Sequence, residues 1–419
     1  MKKYTSLKSV FYSDKSSDKV IYTDFLNNRL NNELIVYSGL KMSPFNSKKE
    51  IRDVNTLFEI FFLPTVQISI LKDKIYKNSS VITYYMSQLP DVASDQLFYN
   101  TLVLELQSTN DIEGIRSSRQ EIGEAINNVI TKSQKSNMRF EGLVNQYINI
   151  KKGNFNEIKS VKEFRTIWDE LVSEEEKDEI PDGNLFRRHP EYVMDGSKIV
   201  HAGDISEEQI TQNLTKLVYE MNNHDIPALE RCFIAHYYYE YIHPFYDGNG
   251  RTGRYIACSY LARKLDIMTA VSFSSAISLH KKRYYKPFMD MSKTFNHGDA
   301  TNFIIRMLEI LEEGQTILLE RIQTGFKLLN DAEKRVSKLK SLNDEEKSVI
   351  FILYQKHIFG TYAPELTDND LKEILHLSTY KIRNITNNLK KLGYIELIKE
   401  KPKVHYLSQE LSKDIPTLH

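Results

Sequence analysis

Cysteine is nearly absent. Cys232 and Cys258 are the two in 419 residues, and they form no Cys-x-x-Cys pair. A disulfide framework or a cysteine zinc site has little to be built from, and a reducing compartment is the default. Net charge is absent too: 56 Lys and Arg balance 56 Asp and Glu. No global field draws in nucleic acid or an anionic membrane, so any such partner must be met by a local patch. No apolar run approaches the roughly 18 residues that a membrane helix needs. The N-terminal MKKYTSLKSVFYSDKSSDK is basic with no apolar stretch behind it, unlike a secretory signal. A cytoplasmic protein without membrane partners is expected. There is no Gly-Lys-Ser/Thr of a Walker loop, no internal repeat and no low-complexity tract.

What is present is an ordinary globular composition, 41% hydrophobic and 27% charged, rich in tyrosine and phenylalanine. The length suits two to four domains. ELIVYS (33–38) reads as a strand. Helical character begins near Val66 and strengthens over Ala93–Gln107. Gly114 is placed to close that helix, and Ser118 with Glu121 reads as a capping box opening the next, Glu121–Ile130. A further helix is expected at Val161–Val172, ahead of the acidic run Glu174–Glu179 and the turn signal Pro181-Asp182-Gly183. In Glu191–His201, two short apolar runs flank Asp195-Gly196, a hairpin pattern.

Asp225-Ile226-Pro227 opens another helix, with Asp as cap and Pro in the first turn. The helix, ALERCFIAHYYYEYI, is apolar on most sides, so it should be central and buried, ending at Pro244. After a glycine-rich turn a further helix, Tyr255–Leu265, is expected. The pattern stays helical from Asn302 to about Lys340. Then come helices at Lys347–Gln355, Asp368–Leu375 and Ser378–Leu392, and strands at Tyr394–Ile398 and Val404–Leu407.

The turn between the two central helices, HPFYDGNGRTGR (243–254), holds three of the chain's 16 glycines. Asp247-Gly248-Asn249-Gly250 tolerates unusual backbone angles and leads into a helix N-terminus. Its N–H groups can then point one way and form a nest for phosphate oxygens. Arg251 and Arg254 are three apart and share a helical face, where both could fork onto the same phosphates. Asp247 is the loop's one carboxylate, and one or two carboxylates plus phosphates is the usual way Mg²⁺ is held. His243, beside the nest, is a candidate base for a hydroxyl attacking phosphorus. These parts imply nucleotide phosphate transfer.

The stretch matches at every fixed position the signature HPFxDGNGRxxR, and the chain resembles Fic-domain proteins over roughly residues 64–311. The resemblance implies a mainly α fold, a Fic helical core with a small β-hairpin flap; beyond it, the helix–helix–helix–hairpin order of Asn343–Leu407 reads as a C-terminal winged helix-turn-helix. It implies transfer of AMP from ATP to a hydroxyl side chain of a target protein. By position, His243 would deprotonate that hydroxyl and Asp247 would hold Mg²⁺. Gly248, Asn249 and Gly250 would cradle phosphates, Arg251 would meet the β-phosphate and Arg254 the γ-phosphate. Phe245 would pack inward. The related Doc-type kinases carry lysine where Gly250 stands, so glycine favours AMP transfer.

Upstream, Thr109-Asn110-Asp111-Ile112-Glu113-Gly114 resembles the family's inhibitory pattern [S/T]xxxE[G/N]. That implies a Glu113–Arg254 pair occupying the donors that ATP needs. Lys198, Ile199, Val200 and His201 resemble the flap strand that docks a target segment. Tyr285 and Asn296 stand in a stretch similar to the adenine pocket, with its halves about one helical turn too far apart. The expected organisation is residues 1–120 with the inhibitory helix, 121–312 catalytic, 313–342 a connecting helix, and 343–419 a winged helix-turn-helix.

In that last module Leu377–Val404 carries seven Lys or Arg against two Glu, about +5. DNA is therefore a candidate partner beside the Ser, Thr or Tyr hydroxyl of a target protein, and a homodimer is left open. Two alternatives stand: a DNA-binding regulator whose Fic domain senses nucleotide or modifies only itself, and a transferase of another group such as UMP or phosphocholine.

Overall fold

The structure is a computed structural model and describes residues 4–131, 139–155, 157–172 and 180–418. The acidic run Glu174–Glu179 lies outside the described residues. The chain forms two compact units, one of residues 1–79, 108–115 and 145–315, the other of residues 80–107, 116–144 and 316–419.

The order begins with α1 (Leu7–Ser13), α2 (Val20–Leu30), β1 (Val36–Met42), β2 (Phe45–Asn46), β3 (Ile51–Arg52) and β4 (Phe58–Phe62). It continues with α3 (Val66–Gln88), α4 (Asp91–Ile112), α5 (Arg119–Thr131), α6 (Glu141–Lys151), α7 (Lys162–Leu171), β5 (Tyr192–Asp195), β6 (Lys198–Ala202) and α8 (Glu207–Asn222). Then come α9 (Ala228–Ile242), α10 (Asn249–Lys264), α11 (Ile267–Ala270), α12 (Phe273–Leu279), α13 (Lys281–Met291) and α14 (Thr301–Ser337). The chain closes with α15 (Asp344–Phe359), α16 (Asp368–Leu375), α17 (Thr379–Lys391), β7 (Ile395–Glu400), β8 (Lys403–Leu407) and α18 (Gln409–Ser412). Among the described residues the sheets are four antiparallel pairs: β1–β4, β2–β3, β5–β6 and β7–β8. Helix dominates. Among the described residues, no helix is long and apolar enough to cross a membrane.

Helix α9 is the core of the first unit, buried along nearly its whole length and packed against α8 and α10. A helix apolar all round has no face to give to water. Its tyrosines still need partners for their hydroxyls. Tyr238 donates to the Lys41 carbonyl at 3.0 Å, and Tyr241 accepts the Ser43 N–H at 2.9 Å. These bonds fasten the end of β1 along the helix.

Several boundaries differ from the sequence reading. The first strand runs from Val36 to Met42, not from Glu33. Pro227, not Asp225, is the N-cap of α9; its carbonyl accepts the first helical bond, from Arg231, at 2.9 Å. In the hairpin Asp195 pairs with Lys198, so the two turn residues are Gly196 and Ser197, one place later than read. Helix α10 starts at Asn249 rather than Tyr255, which puts both signature arginines inside it. Helix α14 is continuous, with no break near residue 313. The Ser118–Glu121 capping box is present, with the Glu121 N–H donating to Ser118 Oγ at 3.1 Å.

The polar first 60 residues, which showed one strand in sequence, are ordered by a distant anchor. Asp299 is buried and accepts Arg29 at 2.6 Å and the Tyr4 hydroxyl at 2.5 Å. Arg29 also donates to the Thr5 carbonyl at 2.8 Å. Removing one partner of a buried pair strands the other's charge. Asp299→Ala should therefore lower unfolding stability by about 3–5 kcal/mol, measured by urea titration; an unchanged midpoint would show that the anchor does not hold this region.

Candidate active site

The loop between α9 and α10 is bracketed by two left-handed residues. His243, the C-cap of α9, has φ 55° and ψ 64°; Gly248, the N-cap of α10, has φ 76° and ψ 6°. Glycine is required at 248 for space as well as angle. A Cβ there would lie 2.7 Å from Val172 and 3.0 Å from the Trp168 indole nitrogen. Asn249 closes the loop on itself: its Oδ1 accepts the Phe245 N–H at 2.9 Å, and its Nδ2 donates to the Phe245 carbonyl at 2.8 Å. The side-chain amide of Asn249 is thus engaged in shaping the turn, and only its backbone can join a phosphate nest. Phe245 is fully buried and stacks on Trp168 at 5.0 Å, as its inward position implied. Trp168 Nε1 in turn donates to the Asp247 carbonyl at 2.8 Å.

Asp247 projects to solvent, and its Oδ1 accepts the Gly248 N–H at 2.5 Å. Arg251 and Arg254 are both buried. Among the described residues, no cluster of three or more His, Cys, Asp or Glu could hold a metal. A cation here would have to arrive with phosphate ligands. Asp247 beside a helix N-terminus fits that need for Mg²⁺, and the loop fits a phosphate chain.

The imidazole of His243 carries a depressed pKa, lowered to about 3. Desolvation is the main cause, the Arg187 charge the next, and a hydrogen bond to the Glu240 backbone opposes them. The ring is therefore neutral at pH 7. Its proton sits on the nitrogen facing Glu240, which leaves the other nitrogen as a free base.

Glu113 and Arg254 are brought together. Arg254 Nη1 donates to Glu113 Oε1 at 2.6 Å, Nε to Thr109 Oγ1 at 2.9 Å and Nη2 to the Thr109 carbonyl at 3.1 Å. The guanidinium's fork is filled by the end of α4. A Cβ on Gly250 would lie 2.2 Å from Glu113 Oε1. The carboxylate thus lies directly over the nest, where a phosphate would sit. Glu240, beneath Gly253, is pushed up to about 8 by burial, against the opposing Arg254 charge and with Glu113 adding to it, so it is largely protonated near neutral pH.

The other expected residues divide. Lys198–His201 lie in β6, and His201 Nε2 is 3.0 Å from the Tyr241 carbonyl, with its ring 6.2 Å from that of His243. The flap is thereby fastened to the end of α9. Tyr285 is close to the end of α4, its hydroxyl 3.5 Å from the Ile112 carbonyl. The Asn296 side chain is buried and donates to the Asp299 carbonyl at 3.0 Å, bracing its own turn. Sequence reasoning missed Trp168, Arg187 and Glu240, which carry no motif of their own, and it gave Thr109 no contact with Arg254.

Gly248→Ala should lower unfolding stability by roughly 1–3 kcal/mol, because it forces a side chain into the left-handed region and against Trp168. Chemical denaturation measures this, and a variant as stable as the parent would show that the turn does not need that angle.

Comparison with known proteins agrees with this geometry. Residues 158–261 match the model of the Fic/DOC family. Among solved structures, the chain is similar to a Fic family protein from Desulfovibrio desulfuricans G20, with a TM-score of 0.50 and 19% identity over 82% of this chain and 96% of that one. That likeness shows a shared fold. Fic-1 from C. elegans is also similar, with a TM-score of 0.45 and 15% identity over 76% of this chain and 81% of that one. The matched segment runs from α7 through the flap and α9 into α10, so the loop that holds His243 and the two buried arginines belongs to a Fic/DOC family domain at residues 158–261 of this chain.

Proposed function

We propose that this chain is a protein adenylyltransferase: it transfers AMP from ATP to a Ser, Thr or Tyr hydroxyl of a target protein and is restrained by Glu113. The observation that carries the reading is the junction itself, a neutral imidazole at one end of a glycine nest and two buried arginines at the other. His243 takes the proton from the target hydroxyl as its oxygen forms a bond to the α-phosphorus. The bond from that phosphorus to the bridging oxygen breaks, and pyrophosphate leaves with the electron pair. Arg251 and the N–H groups at the start of α10 stabilise the phosphate oxygens, and Asp247 would hold Mg²⁺, which neutralises their charge. Gly250 favours AMP over phosphate as the transferred group. A donor comparison among ATP, UTP and CDP-choline tests the other transfers open to this family.

The restraint follows from the pair on Arg254. A γ-phosphate needs the donors that Glu113 and Thr109 occupy, and needs the space above Gly250 that the Glu113 carboxylate fills. In Glu113→Gly protein incubated with labelled ATP and Mg²⁺, covalent labelling of protein should rise at least several-fold. It should vanish when His243→Ala is added. ATP should also raise the melting temperature of Glu113→Gly more than that of the parent, since the freed Arg254 regains an anion. Equal labelling with and without Glu113 removes the restraint, and labelling that survives His243→Ala removes the mechanism.

A second reading concerns the C-terminal elements. Helix α17 buries Ile382, Ile385, Thr386 and Leu389 and exposes Tyr380, Arg383, Asn384, Asn387 and Lys391 along one stripe. Those side chains suit base edges and phosphates, and Lys399 and Lys401 extend the positive charge onto the β7–β8 hairpin. Duplex DNA is the partner this surface suits. Arg383→Glu with Lys391→Glu should weaken retention of duplex DNA tenfold or more in a low-salt gel-shift assay. Retention that is absent in the parent, or unchanged in the double variant, sinks the reading.

A further inference from the structure

The end of α9 poses a problem that the proposed mechanism does not solve. The last carbonyls of a helix lack partners inside it, and a histidine held at positive φ persists only if its surroundings force it there. Here every carbonyl is met. Tyr239 accepts from the His243 N–H at 3.0 Å, and Glu240 accepts the His243 ring. Tyr241 accepts Arg52 as well as His201. Ile242 accepts the Asp204 N–H at 2.9 Å and Arg187 Nη2 at 3.4 Å, and His243 accepts Arg187 Nε at 2.8 Å.

Arg187 is the unusual member. It is completely buried, and its remaining Nη1 donates to the His189 carbonyl at 2.5 Å. Among the described residues it forms no ion pair. A buried guanidinium is costly unless it is hydrogen-bonded, and this one is bonded only to carbonyls, two of them at the end of α9. Its own N–H also reaches the Pro244 carbonyl, at 3.3 Å. Two cations at a helix C-terminus moreover complement the helix dipole. Arg52 is tied down separately, by a 2.6 Å pair with Asp204 and by stacking over the Tyr241 ring at 3.7 Å.

We propose that Arg187 is a positioning residue for His243: its guanidinium fork grips the carbonyls of Ile242 and His243, holds the histidine in its left-handed conformation and, with Arg52, keeps positive charge beside the imidazole. The inference rests on the transferase reading for its kinetic consequences, but not for its structural ones. The charged groups around the ring are Arg187 and Arg52, with the buried, neutral His201 beside it and Asp204 and Glu191 acting on Arg187. Gly203 completes the clamp, since a Cβ there would lie 2.3 Å from Arg187 Nη2 and 3.0 Å from the His243 Cβ.

The test compares Arg187→Gln and Arg187→Lys, each in the Glu113→Gly chain. Gln removes the charge and shortens the reach, whereas Lys keeps the charge but loses the planar fork. Arg187→Gln should lower kcat for labelling at least tenfold while KM for ATP stays within twofold, because Arg187 does not touch nucleotide. It should also move the acid limb of the pH–rate profile upward, since the ring protonates more easily without the cation. Arg187→Lys should keep the acid limb in place yet still lose most of kcat. The His243 ring, followed by ¹⁵N NMR in the full chain and assigned by its loss in His243→Ala, should titrate at higher pH in the Gln variant only.

If the Glu113→Gly parent does not label at all, the transferase reading fails, and the NMR titration still decides the role of Arg187. If the parent labels, and both variants melt lower but keep kcat and the acid limb, Arg187 is merely structural and the proposal is overturned. Should Arg187→Gln not fold, Arg187→Lys alone decides, and unchanged kcat in it overturns the fork's role.

Discussion

One reversal of the backbone carries the chemistry of this chain. Within six residues the polypeptide must leave a buried helix, turn, and enter a second helix packed beside the first. Two residues in the left-handed region make that possible, and each stands at one end of the turn. The asparagine that follows locks the interior by bonding both backbone groups of Phe245. His243 and the glycine turn are therefore placed by a single closed loop.

The electrostatics are arranged around that loop in layers. Burial and neighbouring arginines keep His243 neutral. Burial also keeps Glu240 protonated near neutral pH, so an acid lies beneath Arg254 without neutralising it. Glu113 then becomes the acid that answers Arg254, and it approaches from α4, far away in sequence. A cation enclosed this deeply needs an anion. Glu113 supplies one from within the chain.

Much of this was legible in the sequence because it is local. The signature occupies twelve consecutive residues, and its glycines, histidine and arginines report their backbone demands and charges directly. The tyrosine-rich α9 read as a buried helix because no face of it is polar. The β5–β6 hairpin and the Ser118–Glu121 box were visible for the same reason, with errors of about one residue where turn geometry settles the register. The Glu113 motif needed the resemblance, since six residues with three fixed do not by themselves say what they touch.

The sequence by itself determined the loop, its residue types and the helices that flank it, since backbone angle preferences and helical periodicity act between neighbours. Only the tertiary structure decided which distant groups complete it. Arg187 reaches His243 from 56 positions away, Trp168 supports the Asp247 carbonyl across 79, and Asp299 anchors Arg29 across 270. It also showed that Asn296 braces its own turn. Those contacts join residues with no periodic or motif relation. Their physical cause is that a buried charge or carbonyl must find a partner in space, whatever its separation along the chain.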